Sequence, residues 1–249
     1  MSNKLVLEKS ATEFRQLNGI GSGDPIRLKS ILSKLNVVTV YKPLSSSFSG
    51  MALKITNGNN VDRFILVNSN HNIGKQHFTI CHELYHLYIQ KEFKSMICNT
   101  GLFDKKNGEE YNADVFASFL LLPEIGIKSL IPDEEMGKDK ISLKTILKIE
   151  HFYSCSRAAL LYRLKELQLL TSSGYDKYVN NIKIGAIQNG YSTDLYEPGN
   201  EKLVVGNYGE LARELFESQK ISETHYMALL MDLGMNAKEL ENLFNGEEN

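Results

Sequence analysis

Two histidines four residues apart, with a glutamate directly after the first, are the residues of this chain best suited to chemistry: His82-Glu83-Leu84-Tyr85-His86. On a helix this spacing sets both imidazoles on one face about one turn apart, so both can reach a single metal ion. Glu83 leans toward the same cleft, where it can hold a water that the ion has acidified, and that combination is hydrolytic machinery. With six histidines in 249 residues, the pattern would arise by chance in about one such chain in a hundred. The stretch EEYNADVFASFLLL, residues 109–122, supplies a third ligand. Glu110 and Asp114 lie four apart on one helical face, Glu110 as a metal-binding carboxylate and Asp114 as an acceptor for the far N–H of a ligand histidine. An acidic pair on a helix is usually a solvated face, and it is the conjunction with the histidine pair that favours ligation. His82, His86 and Glu110 then form a three-ligand site with an open fourth position.

These residues need two helices to position them. Residues 74–91 read as the first metal helix, whose remaining Phe78, Leu84, Leu87 and Ile89 are core. Residues 109–122 read as the second; Ala113 and Ala117 are small enough to let it pack closely on the first, and Pro123 ends it. Between them, residues 94–108 are polar and read as a loop at the cleft rim that contains Cys98. Cys81 reads as a small buried filler in preference to a redox sensor beside the metal.

Ahead of the metal helix, Asp24-Pro25 reads as an N-cap and first helical residue for a short helix through Leu28, Ile31, Leu32 and Leu35. Three strands come next, at residues 37–41, 51–56 and 61–68, the last two joined by the turn Asn57-Gly58-Asn59-Asn60. The strand at 51–56 is the expected edge on which a peptide substrate would lie. Behind the metal helices, residues 143–152 and 157–170 read as a helical pair broken near Ser154-Cys155-Ser156, with Ser156 as N-cap. The outline is that of a helix-turn-helix with Lys140, Lys144, Lys148, Arg157, Arg163 and Lys165 nearby, but neighbouring acids cancel most of the charge and direct DNA binding is not expected. His151 and Tyr153 are candidate donors to a developing oxyanion. From residue 174 onward, frequent Tyr, Asn and Gly suggest short strands and turns, followed by two short helices at 210–219 and 222–233 in which His225 is an ordinary surface residue.

Composition bounds the rest. A hydrophobic content of 42% over 249 residues supports a sizeable core, and no apolar run is long enough to cross a membrane. The charged start of the chain is unlike a secretory signal, so the expected location is cytoplasmic. Three cysteines without metal-type spacing suggest reduced thiols, which leaves nitrogen and oxygen as the expected metal donors. The net charge of −2 excludes bulk coating of nucleic acid or anionic lipid. It is unevenly spread: residues 174–249 hold 13 acids and 6 bases, against 17 and 22 before them. The expected division is a catalytic domain at 1–123, a helix-turn-helix-like segment at 124–172 and an acidic module at 173–249.

HFTICHELYH, EEYNADVFASFLLLP and YSCSRAALLYRLKELQLL, in that order, resemble the motifs of the ImmA/IrrE-type zinc metallopeptidases, over about residues 24–172. This sequence departs from the pattern in having His77 where Arg is common, Cys81 where Ala is, and Tyr85 where Gly is, which sets a bulky ring beside the cleft. The resemblance implies an α+β, zincin-like fold with a small sheet, zinc at His82, His86 and Glu110, and Glu83 as general base. It further implies an endopeptidase making a regulatory cleavage of a DNA-binding repressor or an antitoxin-like partner. The alternative is a non-catalytic, zinc-stabilised regulatory protein that binds DNA or protein by contact.

Overall fold

A computed structural model describes residues 3–98 and 100–245. The molecule is α+β, with twelve α-helices and five strands among the described residues. The first elements are α1 (Asn3–Leu17), α2 (Leu28–Lys34), β1 (Val37–Lys42), β2 (Gly50–Asn57) and β3 (Asn60–Asn68). Around the centre of the chain come α3 (Ile73–Tyr88), β4 (Ser95–Cys98), α4 (Gly108–Leu121) and α5 (Glu124–Leu130). The remaining elements are α6 (Leu143–Tyr153), α7 (Arg157–Glu166), α8 (Ser172–Tyr178), α9 (Ile182–Gln188), β5 (Val204–Val205), α10 (Tyr208–Glu217), α11 (Glu223–Asp232) and α12 (Ala237–Asn245). No helix of the described residues is long and apolar enough to cross a membrane.

The strands form one mixed sheet in the order β4-β2-β3-β1-β5. β2 and β3 are an antiparallel hairpin with Asn57 opposite Asn60, and Gly58 supplies the positive φ (59°) that the two-residue turn requires. β1 lies parallel to β3, and β5 closes antiparallel on β1. The edge expected at residues 51–56 is covered along half its length, because β4 pairs antiparallel with Gly50–Leu53. The polar stretch read as loop thus contains a strand.

α3 is the centre of the molecule: 12 of its 16 residues are buried. One side packs on β2 and β3 and the other on α4, so this helix is buried nearly all round, including the polar Gln76 and Thr79. Asn72 caps it by accepting from the Lys75 N–H. Gly74 is required there, because a Cβ would come within 2.5 Å of the Ser156 nitrogen at the start of α7. Ala113 and Ala117 on α4 are fully buried, as the close approach to α3 requires. α1 packs on the far side of α4 through Leu7, Ala11 and Phe14. The buried Arg15 guanidinium donates to the Leu120 carbonyl (2.7 Å), to the Gly21 carbonyl (2.7 Å) and to that of Asp24. That bond holds Asp24 in the connection, and α2 begins later than the Asp24-Pro25 signal suggests, with Arg27 at its cap position.

α6 and α7 meet at Ser154, which is left-handed (φ 51°), and Ser156 accepts from the Ala159 N–H as the cap of α7. Two of the basic residues that gave the pair its DNA-binding look are buried: Arg157 pairs with the fully buried Glu150 and Arg163 donates to the Leu122 carbonyl. Residues 174–188, expected as strands and turns, lie mostly in the helices α8 and α9. Tyr178 and Val205 belong to the main core, whereas Ala212, Tyr226, Leu230 and Leu240 form a second, smaller cluster.

Candidate metal centre

The facing surfaces of α3 and α4 bring His82, His86 and Glu110 together. The His82 and His86 Nε2 atoms are 3.1 Å apart; Glu110 places Oε2 3.4 Å from the first and Oε1 3.3 Å from the second. Asp114, one turn after Glu110, accepts from His82 Nδ1 (2.9 Å) and so turns Nε2 toward the other donors. It also accepts from the backbone N–H groups of Gly101 and Phe103, both at 2.8 Å, which ties the segment after β4 to the same carboxylate. His86 is held through Nδ1 by the Gln90 carboxamide at 2.5 Å, and its ring stacks on Phe93 at 5.2 Å.

One member of the cluster is absent from the sequence expectation. Cys98, the last residue of β4, sets its sulfur 3.6 Å from His86 Nε2, 3.5 Å from Glu110 Oε1 and 3.7 Å from Glu83 Oε2. His82, His86, Cys98 and Glu110 together could hold a metal ion, their donor atoms all lying within 4.8 Å of one another. Cysteine spacing along the chain carried no sign of this, since the other three donors come from helices; the nearest signal was the position of Cys98 between the two metal helices. Cys81 is fully buried on α3, and burial pushes its thiol up to about 12, which suits a packing role.

Glu83 is fully buried. Among the described residues its Oε1 has no hydrogen-bond partner, and a Cβ on Gly50 would approach it to 2.6 Å, so β2 needs glycine where its start passes the carboxylate. Burial pushes the Glu83 carboxyl up to about 7, against the pull of the two histidines. Burial acts the same way on Glu110, but its bonds to His82 and His86 outweigh it and hold that carboxyl down to about 2. For His82 burial disfavours the charged ring, yet Asp114 and Glu110 prevail and raise it to about 10. The pocket therefore favours positive charge between its donors, from a proton or a metal cation.

The remaining candidates have other partners. Tyr153 donates to the Gly23 carbonyl (2.7 Å), and His151 stacks on Tyr191 at 4.5 Å and meets the Tyr196 hydroxyl at 3.2 Å. Tyr85 turns its ring into the core against Phe116 and donates to Glu109 (2.7 Å), so it does not fill the space between the donors. His77 bonds the Ser154 carbonyl (2.7 Å), fastening α3 to the α6–α7 turn. No curated protein matches the chain. The family model for the IrrE N-terminal-like domain of peptidase M78 matches residues 32–165, more than half of the chain and every residue of the cluster. The protein belongs to that family, a peptidase family whose motifs here converge on a buried group able to hold a metal.

Proposed function

We propose that the protein is a zinc-dependent endopeptidase, with His82, His86 and Glu110 holding the ion and Asp114 fixing the orientation of His82. The donor set fits. Tetrahedral zinc with bonds of about 2.0–2.1 Å to nitrogen and oxygen separates such donors by about 3.3–3.4 Å, against 3.1 Å between the two histidine nitrogens and 3.4 and 3.3 Å from them to Oε2 and Oε1 of the Glu110 carboxylate respectively. Bound there, zinc supplies a Lewis acid that polarises a scissile carbonyl and makes water a better nucleophile at neutral pH. Glu83 takes the proton from the attacking water and delivers it to the leaving amine. Its apolar setting suits both halves of that task, because a carboxyl raised to about 7 both accepts and returns a proton near neutral pH. The observation that carries the reading is this buried carboxylate, with one oxygen unpartnered among the described residues, beside three converging donors.

The resemblance of the motifs to the ImmA/IrrE type points to a regulatory cleavage, with a DNA-binding repressor or an antitoxin-like partner as the protein substrate. The burial of Arg157 and Arg163 further disfavours direct DNA binding by the α6–α7 pair. One observation favours a second reading: with Cys98 present, four protein donors surround the site, and closed four-donor sites are characteristic of structural zinc. A zinc-stabilised regulator acting by contact would have such a site.

Glu83→Gln distinguishes the two. The substitution keeps shape and donor set but removes the base, so the peptidase reading expects unchanged zinc content and a fall in cleavage of about 10²- to 10⁴-fold, while Glu110→Ala loses zinc. In cells the Glu83→Gln chain should behave as a deletion. Full complementation by zinc-loaded Glu83→Gln would end the peptidase reading in favour of the contact regulator.

A further inference from the structure

We infer that Cys98 is a fourth, removable metal donor, and that β4 holds the peptidase latent by lying where a substrate strand must lie. The inference rests on the metal-centre reading above and adds a donor and a state of the site to it. Three independent features converge. A tetrahedral ion with a sulfur bond of about 2.3 Å and nitrogen or oxygen bonds of about 2.0–2.1 Å has sulfur edges of about 3.5–3.6 Å. Cys98 Sγ is 3.6 Å from His86 Nε2 and 3.5 Å from Glu110 Oε1. The same sulfur stands 3.7 Å from Oε2 of Glu83, a carboxylate whose other oxygen is buried without a partner among the described residues, so the thiol fills the space where the base would meet its water. Finally, the cluster is roofed on the β4 side: His82, Glu83 and His86 are fully buried and Cys98 is 1% exposed, while the Glu110 side chain keeps 17% exposure.

The roof is β4 itself. It pairs with β2 from Gly50↔Cys98 to Leu53↔Ser95, extended by the Ser49 N–H to the Cys98 carbonyl (2.9 Å) and the Lys54 N–H to the Lys94 carbonyl (2.7 Å). Gly50 is the residue of β2 that abuts Glu83. A peptide added to this edge with its main chain in register with β2 would therefore carry a bond past Glu83 at the position Cys98 holds. Such a peptide would remake the same main-chain hydrogen bonds, so exchanging β4 for it costs little in the ladder. Its cost lies in the Cys98 donor and in the two loop bonds to Asp114. β4 is only four residues long at the end of the sheet, an element of the kind that exchanges without unfolding the core.

Metal-free protein titrated with Co²⁺ tests the donor without reference to activity. Wild type and Cys81→Ser should bind one equivalent and show thiolate-to-cobalt charge transfer in the near ultraviolet. Cys98→Ser should lose that absorption and bind cobalt at least about 10-fold more weakly, as changes at metal-supporting groups do. Cobalt-loaded wild type without the absorption, or its survival in Cys98→Ser, would overturn the assignment. Failure of wild type to bind cobalt at all would instead overturn the metal-centre reading beneath it. Closure is tested with acetohydroxamate, a small chelating probe: it should shift the visible cobalt spectrum of Cys98→Ala at a concentration at least about 10-fold below that needed for wild type. Equal sensitivity would overturn latency.

Discussion

Asp114→Asn is the sharpest probe of how the centre is assembled, because one carboxylate accepts three hydrogen bonds there and an amide can accept at only one of its two ends. Asp114 Oδ1 receives His82 Nδ1 and the Gly101 N–H, and Oδ2 receives the Phe103 N–H, in a side chain that is 4% exposed. If the asparagine oxygen stays on the His82 side, its NH₂ confronts the Phe103 N–H. If the amide flips, NH₂ confronts the Gly101 N–H and offers a donor to His82 Nδ1. The imidazole can answer only by moving its proton to Nε2, the atom aimed at the other donors. Bonds to a charged acceptor contribute about 1.5–3 kcal/mol each, and a buried donor left unmatched costs a similar amount. The metal-free protein should thus lose about 2–4 kcal/mol in urea denaturation. Metal affinity should fall about 10- to 100-fold, equivalent to about 1.4–2.7 kcal/mol, in competition with a chromophoric chelator. Affinity and stability both matching wild type would refute the role given to Asp114 and, with it, the link between the centre and the segment after β4.

Two further outcomes concern the frame. Glu150→Ala should cost about 3–5 kcal/mol in urea denaturation, because it strands Arg157, 3% exposed, with the Tyr178 carbonyl (3.0 Å) as a remaining acceptor; a loss below about 1 kcal/mol would show the pair is dispensable. We propose that the separable C-terminal unit begins after Gly206, not at 173. Truncation there should keep the metal centre and thermal stability, whereas truncation after Leu170 should aggregate, since it removes Tyr178 and Val205 from the main core, the Tyr196 bond to Glu150 and the pairing of β5 with β1; equal behaviour of the two chains would restore the boundary at 173.

Much of this architecture was legible because helical periodicity carries it. The structure brings the four side chains of the His82–His86 and Glu110–Asp114 spacings together, and the turn at residues 57–60 gave the hairpin its register. α1 was missed although Leu7, Ala11 and Phe14 follow the helical period, since the stripe is thin and interleaved with Lys, Glu and Ser. The helices α8 and α9 were missed for a related reason: each spans only 7 residues, with Gly174 and Gly185 inside, so local propensity opposes what tertiary packing imposes. The charge break at residue 173 marked a real change in composition, but electrostatics does not locate a core. Tyr178 and Val205 enter the main core through their own burial and hydrogen bonds.

Cys98 lies beyond the reach of local sequence patterns, and the reason is physical. Its neighbours along the chain, Ser95-Met96-Ile97 before it and Asn99-Thr100-Gly101 after it, carry neither strand alternation nor ligand spacing, and β4 exists because β2 offers an edge, a pairing between segments more than forty residues apart. No local signal encodes such a contact. The same fact bears on function. An element defined by the edge it borrows can be replaced by another strand that borrows the same edge, whereas the α3–α4 donors, fixed by a buried interface, cannot. On the proposed reading, the division of the cluster into three donors on helices and one on an edge strand would separate a permanent seat for the metal from a removable lid. A substrate competing for β2 would then not need to disturb the seat in order to open it.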